Sequence, residues 1–159
     1  MRDLAIQVGQ ALAACGWRAA TAESCTGGLV AAAITDVPGS SSWFVGGLVT
    51  YTNEAKQMLL GVSRATLDRY SAVSEQTVIE MAEGGLARTG ADICVSISGV
   101  AGPGGGSRET PVGTVWLAWA VRNRPTRTCL SLFQGDRHAV REQALKQALE
   151  GILAGLPKA

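Results

Sequence analysis

Histidine and lysine are scarce in this chain of 159 residues, which contains one histidine and three lysines. Its four cysteines are widely spaced, and no two of them form a C-x-x-C pair. Because a zinc site needs clustered Cys and His ligands, the sequence predicts no metal site, and nothing in it indicates a cofactor. A Ser-His-Asp triad would have to use His138, the single histidine.

Charged residues are also few, since they make up 17% of the chain, and the net charge is +1. A balance this close to neutral provides no electrostatic basis for binding nucleic acid. No apolar run reaches the ~18 residues of a membrane-spanning helix, and no basic segment precedes an apolar stretch as in a signal peptide. We therefore expect a cytoplasmic protein with reduced thiols that binds neither nucleic acid nor a membrane.

Apolar residues, by contrast, make up 47% of the sequence, and four of them are tryptophans. A chain of this length can bury most of its apolar surface in one core, so we expect a single domain over residues 1–159. Abundant apolar residues combined with few charges also favour a homo-oligomer, in which further surface is hidden.

Hydrophobic periodicity divides the chain into alternating helices and strands. The pattern predicts helices over 2–15, 29–35, 53–61, 63–70, 74–89 and 136–152, and strands over 17–22, 43–51, 92–98, 113–121 and 126–133. Helices separate the early strands, as in parallel crossovers, whereas a short connection that suits a hairpin joins the last two. This order predicts an α/β fold, a three-layer α/β/α sandwich with a mixed, partly parallel sheet.

Two runs rich in glycine and small hydroxyl residues, 21–28 and 98–106, follow or join apolar segments. Such residues bring backbone N–H groups close to a ligand, and the first run leads from a strand into a helix N-terminus, which suits anions. Neither run is a Walker loop or a dinucleotide fingerprint. Because ligands of open sheets bind at the carboxyl ends of strands, the two runs predict one site for an anionic small molecule.

The best placed base for a serine nucleophile is Lys56, which follows a predicted strand end close to Tyr51. Serine becomes a good nucleophile only when a base takes its proton, and lysine can be that base once desolvation lowers its pKa. Spacing alone equally allows Lys56 to be a surface residue of a helix and Tyr51 to be a half-buried aromatic of a strand.

Other polar residues of these segments also have two interpretations. Ser24 is either an active-site hydroxyl or a helix N-cap, and Ser41 is either a nucleophile or a residue of a solvent-exposed turn. Glu23 could orient an amine or a ribose hydroxyl, or it could favour the helix dipole. Cys25 is a candidate nucleophile only if the distant His138 acts as its base.

The order and spacing of five motifs closely resemble one family. They are residues 23–28 (ESCTGG), 38–41 (PGSS), 51–56 (YTNEAK), 98–103 (SGVAGP) and 111–115 (PVGTV). These motifs are similar to those of the nicotinamide-nucleotide amidase family, which is also the C-terminal domain of the competence/damage-inducible protein CinA. The resemblance covers nearly the whole chain, from the first helix to the last.

The resemblance implies hydrolysis of nicotinamide mononucleotide to nicotinate mononucleotide and ammonia by serine and lysine, without a metal or cofactor. Carried over by position, Lys56 matches the general base and Tyr51 its hydroxyl companion. Ser24 and Ser41 match the two active-site serines. We favour Ser41 as the nucleophile and Ser24 as an orienting or oxyanion-side hydroxyl, and the reverse assignment is the alternative. The substrate contacts that we expect are Glu23, Thr26, Gly27, Gly28, Ser98, Gly99, Ala101, Gly102 and Arg137.

A second interpretation of the same resemblance is a binding module. Many relatives are the tail of a longer protein, so the domain could bind a nucleotide weakly or without turnover and regulate a partner in competence or DNA damage. The intact set of serine, tyrosine and lysine in this chain favours the enzyme.

Overall fold

The computed structural model describes residues 1–158, and this part of the chain forms six α-helices and five strands. In chain order they are α1 (Arg2–Cys15), β1 (Ala19–Glu23), α2 (Leu29–Thr35), β2 (Phe44–Val49), α3 (Asn53–Leu60), α4 (Arg64–Tyr70), α5 (Glu75–Thr89), β3 (Ile93–Gly99), β4 (Thr114–Val121), β5 (Arg127–Leu132) and α6 (Arg137–Gly155). A short 3-10 helix, Ser40–Ser42, precedes β2. No helix within residues 1–158 is long and apolar enough to cross a membrane.

The five strands form one mixed sheet in the order β2-β1-β3-β4-β5. β1 lies between β2 and β3 and is parallel to both, whereas β4 is antiparallel to both β3 and β5. Helical crossovers join the parallel strands, and a short turn joins β4 to β5. The predicted α/β fold with a mixed, partly parallel sheet is therefore confirmed.

Helices cover both faces of the sheet and create two separate cores. On one face α1, α2 and α6 pack against large side chains of the sheet, such as Ile93 and Leu117. On the other face α3, α4 and α5 cover small ones, such as Ala118 and Cys94. The small side chains let α5 approach closely, since a Cβ at Gly85 would lie 2.6 Å from the Sγ of Cys94.

Capping side chains set where several helices begin. Ser63, Ser74 and Asp136 each accept a hydrogen bond from a backbone N–H in the first helical turn, which agrees with the predicted starts of α4, α5 and α6. We expected Asn53, the first residue of the predicted helix over 53–61, to be its N-cap, and this prediction was wrong by one residue. Its cap is Thr52, whose hydroxyl accepts a helix N–H at 3.1 Å, so Asn53 is already helical.

The carboxyl ends of the three parallel strands meet at one edge of the sheet. β1 leads there into Ser24, β2 into Thr50 and β3 into Val100. Because segments that leave neighbouring parallel strands lie side by side, this edge brings together residues that are far apart in sequence.

The C-terminal end of α3 packs directly on Gly84 of α5. A Cβ added at Gly84 would overlap the carbonyl oxygen of Leu60, so α5 comes as close to the α3 backbone as only glycine permits. This contact fixes the position of α3, which carries Lys56.

We expect Gly84→Ala to lower the free energy of unfolding by about 1–3 kcal/mol, the usual cost of overpacking. Alanine is the better helix former by about 1 kcal/mol, so helix propensity alone predicts a change of the opposite sign. Urea unfolding of the two proteins measures the difference. A more stable variant would show that α3 and α5 are not in backbone contact at this position.

Candidate active site

Lys56 is a buried lysine, with 1% of its surface exposed, and it lies in the first turn of α3. Its Nζ donates hydrogen bonds to Ser24 Oγ at 2.9 Å, to the Thr50 carbonyl at 2.9 Å and to the Tyr51 carbonyl at 3.3 Å. An ammonium group has three protons, so each of them has an acceptor when Lys56 is charged.

Burial lowers the pKa of Lys56 from 10.5 to about 8, because the charged form loses its hydration, while Cys25 opposes this effect. The neutral amine has two protons and one lone pair. Two protons remain with the carbonyls of Thr50 and Tyr51, and the lone pair then faces the hydroxyl of Ser24. The geometry therefore suits an amine that takes a proton from Ser24 without moving.

Ser24 is held in place by continuation of the sheet beyond β1. Its N–H donates to the carbonyl of Ile97 in β3 at 2.9 Å, and the N–H of Thr50 donates to the carbonyl of Glu23 at 2.8 Å. The strands on both sides thus fix the backbone around this serine. Side-chain rotation of Ser24 is restricted in turn by the bond with Lys56.

Glu23 is fully buried and does not face the cavity beside Lys56. Its carboxylate accepts hydrogen bonds from the N–H groups of Val30 at 2.9 Å and Ala31 at 3.0 Å, and from the hydroxyl of Thr21 at 3.2 Å. The carboxylate of Glu23, which we expected to contact the substrate, is instead directed at α2 in this structure. The negative charge of this carboxylate offsets the partial positive charge at the N-terminus of α2, which was the second interpretation of Glu23 from the sequence.

The segment 26–28 is also turned away from the cavity. Thr26 is fully buried, and Gly27 and Gly28 have φ angles of 57° and 99°, which a glycine adopts without strain. Because the carboxylate of Glu23 occupies the first N–H groups of α2, this helix N-terminus is not available to a substrate anion. The expectation that these three residues bind substrate does not agree with the geometry.

The cavity at this edge of the sheet has a volume of about 310 Å³. Ser24, Cys25, Tyr51 and Lys56 line one side of it. The second glycine run and Arg137 form the rest, together with residues 72–73, which the sequence did not indicate. The predicted contacts Ser98, Gly99, Ala101, Gly102 and Arg137 all line this cavity.

The hydroxyl groups of Tyr51 and Ser98 are both engaged away from Lys56. The phenol of Tyr51 accepts a hydrogen bond from Arg137 Nη2 at 3.1 Å, and Arg137 Nη1 donates to the Gly102 carbonyl at 2.9 Å. Ser98 Oγ donates to the carbonyl of Ala72 at 2.8 Å. Tyr51 is thus not the hydroxyl companion of Lys56 that we expected, because Lys56 contacts its carbonyl instead.

Ser41 is not brought to this site within one chain. It lies exposed on the 3-10 helix that precedes β2, whereas Ser24 and Lys56 lie beyond the carboxyl ends of β1 and β2. The length of a six-residue strand, about 20 Å, separates the two ends. The preference for Ser41 as the nucleophile therefore disagrees with the geometry, which brings Ser24 to the amine.

Cys25 lines the cavity beside Ser24, but only 6% of it is exposed. Burial raises the pKa of its thiol to about 11, against smaller opposing effects of its own backbone N–H, Lys56 and Arg141. The thiol is therefore protonated at neutral pH. His138, the only histidine, forms an exposed pair with Glu142 at 4.0 Å and is no base for Cys25.

Arg141 of α6 contacts the turn that carries Ser24. Its Nε donates to the Cys25 carbonyl at 3.1 Å and its Nη2 to the Thr26 carbonyl at 3.2 Å. The family resemblance allows either Arg137 or Arg141 to be the basic residue near the site, but it gives no signal for this contact. Within the described residues, no cluster of His, Cys, Asp and Glu side chains could hold a metal ion.

A sequence model of the CinA C-terminal domain family matches residues 1–156, almost the whole chain. The chain belongs to this family. A relative from Enterobacter agglomerans, named nicotinamide-nucleotide amidohydrolase PncC, is 55% identical over 96% of this chain and 93% of its own length. A CinA-like protein of Akkermansia muciniphila is 57% identical over 86% of this chain but only 33% of its own length.

Solved structures of the CinA family have the same fold. The crystal structure of a competence damage-inducible protein from Klebsiella pneumoniae superposes with a TM-score of 0.93 at 45% sequence identity, covering 97% of this chain and 95% of that one. The CinA C-terminal domain therefore occurs both as nearly the full length of some relatives and as about a third of another.

The buried lysine of this CinA C-terminal domain should make stability depend on pH. We expect the free energy of unfolding of the wild type, relative to that of Lys56→Met, to rise between pH 8 and 10.5. Below pH 8 Lys56 is charged in both states, and its burial destabilises the folded state. Above pH 8 the unfolded chain retains a proton that the folded protein has released, so stability increases with pH.

Denaturant unfolding of both proteins across this range measures the difference. The titration of the buried thiol Cys94 is common to the two proteins and cancels. The titration of Cys25 does not cancel, because Lys56 lowers the pKa of that thiol, so both proteins carry Cys25→Ser in this comparison. A difference that is flat with pH would show that Lys56 retains an ordinary lysine pKa.

Proposed function

We propose that this protein is an amidohydrolase that converts nicotinamide mononucleotide to nicotinate mononucleotide and ammonia. The observation that carries the proposal is the contact of a buried lysine with a serine hydroxyl, Lys56 Nζ to Ser24 Oγ at 2.9 Å, on the wall of a cavity. The names of close relatives support the choice of substrate. Ser24 is the proposed nucleophile and Lys56 the proposed general base.

The first step follows from the hydrogen bonds of Lys56. The neutral amine takes the proton of Ser24 Oγ while that oxygen forms a bond to the carbonyl carbon of the amide. The π electron pair of the carbonyl moves to its oxygen, and a tetrahedral anion results. The carbonyls of Thr50 and Tyr51 hold the resulting ammonium in place, because they accept its other two protons.

Collapse of this anion breaks the bond between carbon and nitrogen. Lys56 returns its proton to the departing nitrogen, ammonia leaves, and an ester to Ser24 remains. Water then repeats the sequence, with Lys56 again accepting a proton, and the ester is hydrolysed to the carboxylate product and free Ser24. No redox change occurs, so this sequence requires no cofactor.

Arg137 is the cation of the cavity that is best placed for the substrate phosphate. It lines both the cavity beside Ser24 and a second cavity of about 680 Å³, which also shares Ala101 with the first. The glycine run 99–105 lies beside it and supplies a backbone that a ligand can approach closely. The amide end of the nucleotide lies at Ser24 in this arrangement, and its phosphate lies toward Arg137.

We also propose that the chain forms a single domain, acts in the cytoplasm and assembles into a homo-oligomer. Four free cysteines support a reducing compartment. Large apolar side chains that are more than half exposed on the isolated chain support the oligomer, notably Met58, Leu130 and Leu132.

Replacement of either proposed catalytic residue should remove the activity. We expect Lys56→Ala to lower kcat by about a hundredfold or more, the scale of a positioned proton-transfer group. Ser24→Ala should lower it by several orders of magnitude, because no covalent ester can then form. Ammonia release from nicotinamide mononucleotide measures both effects, and the rate of the wild type should rise with pH toward an apparent pKa of about 8.

Ser41→Ala is the comparison variant, since Ser41 is an exposed serine of the same chain outside the cavity. We expect its kcat to equal that of the wild type, and mass spectrometry of quenched reactions should locate the acyl group on Ser24. An acyl group on Ser41, or full activity of Ser24→Ala, would refute the proposed nucleophile. Tight binding of the nucleotide without ammonia release would favour a regulatory module instead.

A further inference from the structure

The segment 71–73, which joins α4 to α5, brings the half-buried side chain of Val73 to the wall of the cavity beside Ser24. Within residues 1–158, Val73 belongs to neither core and does not pack against one. The other branched aliphatic side chain of this cavity is Val100, whose Cγ1 lies 3.7 Å from where a Cβ on Gly105 would be. Val73 is therefore the aliphatic side chain that is most available to a ligand.

Ser71 has a strained backbone conformation, two residues before Val73. Its φ is 67° and its ψ is 175°, a combination that is essentially restricted to glycine. Within residues 1–158 the only other non-glycine residue with a positive φ is Asn123, in the turn between β4 and β5, where asparagine is well tolerated. Strain of this kind persists only where the surrounding structure enforces it, and it occurs most often at ligand sites.

Hydrogen bonds from three elements enforce the path of this segment. The N–H of Ser71 donates to the carbonyl of Leu67 in α4 at 3.0 Å, and the Ser71 carbonyl accepts from Thr77 Oγ1 in α5 at 2.7 Å. The next carbonyl, that of Ala72, accepts from Ser98 Oγ in β3 at 2.8 Å. The segment is therefore held on both sides of the strained residue, and its position at the cavity wall is fixed.

We propose that Val73 is a specificity-determining residue, whose side chain contacts a face of the nicotinamide ring when the amide of the substrate lies at Ser24. The inference rests on the proposed function and names the part of the substrate that this wall recognises. The ring is bonded directly to the amide carbon, so it occupies the same cavity as the reacting group. Sites for small molecules place apolar side chains against such a ring and a few polar groups around it.

The first test removes the two methyl groups of Val73. We expect Val73→Ala to raise KM for nicotinamide mononucleotide about tenfold, the effect of two methyl groups lost from contact with the ring, with kcat little changed. Inhibition by nicotinate mononucleotide, which has the same ring, should weaken by the same factor. Inhibition by ribose 5-phosphate, which lacks the ring, should remain as in the wild type.

Thr77 allows a second test that leaves the cavity lining unchanged. Thr77→Val removes the hydroxyl that holds the Ser71 carbonyl, and we expect it to raise KM severalfold only while Val73 is present. The double variant should have the KM of Val73→Ala alone, because both residues act through one contact. Thr89→Val is the matched control, since it loses a hydroxyl-to-carbonyl bond of 2.7 Å at the opposite end of α5, and its KM should equal that of the wild type.

Three results would overturn the inference. An unchanged KM of Val73→Ala would mean that the ring does not contact this side chain. An equal weakening of inhibition by ribose 5-phosphate would mean that the substitution distorts the cavity as a whole. A lower kcat with an unchanged KM would mean that the segment acts on the reacting groups and not on the ring.

Calorimetric binding of nicotinamide mononucleotide separates failure of this inference from failure of the proposed function. Binding that weakens about tenfold in Val73→Ala, without ammonia release by the wild type, would retain the inference and reject the proposed reaction. Ammonia release with a KM that is independent of Val73 would retain the function and reject the inference. Neither binding nor ammonia release by the wild type would reject both.

Discussion

The burial of the Lys56 amine is the constraint on which the rest of the site depends. A buried ammonium group loses its hydration, and this costs several kcal/mol unless polar partners replace the lost water. The two backbone carbonyls that replace it belong to Thr50 and Tyr51, directly after β2. Helix α3 must therefore begin at once, and the Thr52 cap allows it to do so. The hydrogen bonds that the buried Lys56 amine needs are thus the reason that the connection between β2 and α3 is so short.

The sheet register then decides which hydroxyl meets that amine. β1 pairs with β2 on one side and with β3 on the other, and both pairings continue for one residue beyond the regular strands. The N–H of Ser24 donates to the carbonyl of Ile97 in β3, and the N–H of Thr50 donates to the carbonyl of Glu23 in β1. The carboxylate of Glu23 fixes the turn between β1 and α2, because it accepts hydrogen bonds from the first N–H groups of α2. The serine consequently has a rigid backbone, which an attacking group needs if it is to approach an amide carbonyl in one orientation.

Sequence reasoning predicted the fold because periodicity and capping residues act locally. The starts at Ser63, Ser74 and Asp136, and the role of Lys56 as the best placed lysine, follow from such local signals and from the scarcity of lysine. Motif order identified the family for the same reason: it is a linear property of the chain.

The positions of individual polar groups could not be predicted in this way. Ser24 and Ser41 both lie in small-residue motifs, but one follows a strand and the other precedes one, and only the parallel register separates them in space. The carbonyl of Tyr51 accepts a hydrogen bond from Lys56, and its phenol accepts one from Arg137. Which group meets which partner depends on the direction of the chain after β2. Cys25, beside the serine, remains a protonated thiol because it is buried. Peroxides and alkylating reagents attack thiolates, so we expect the Cys25 thiol to react slowly with them at neutral pH.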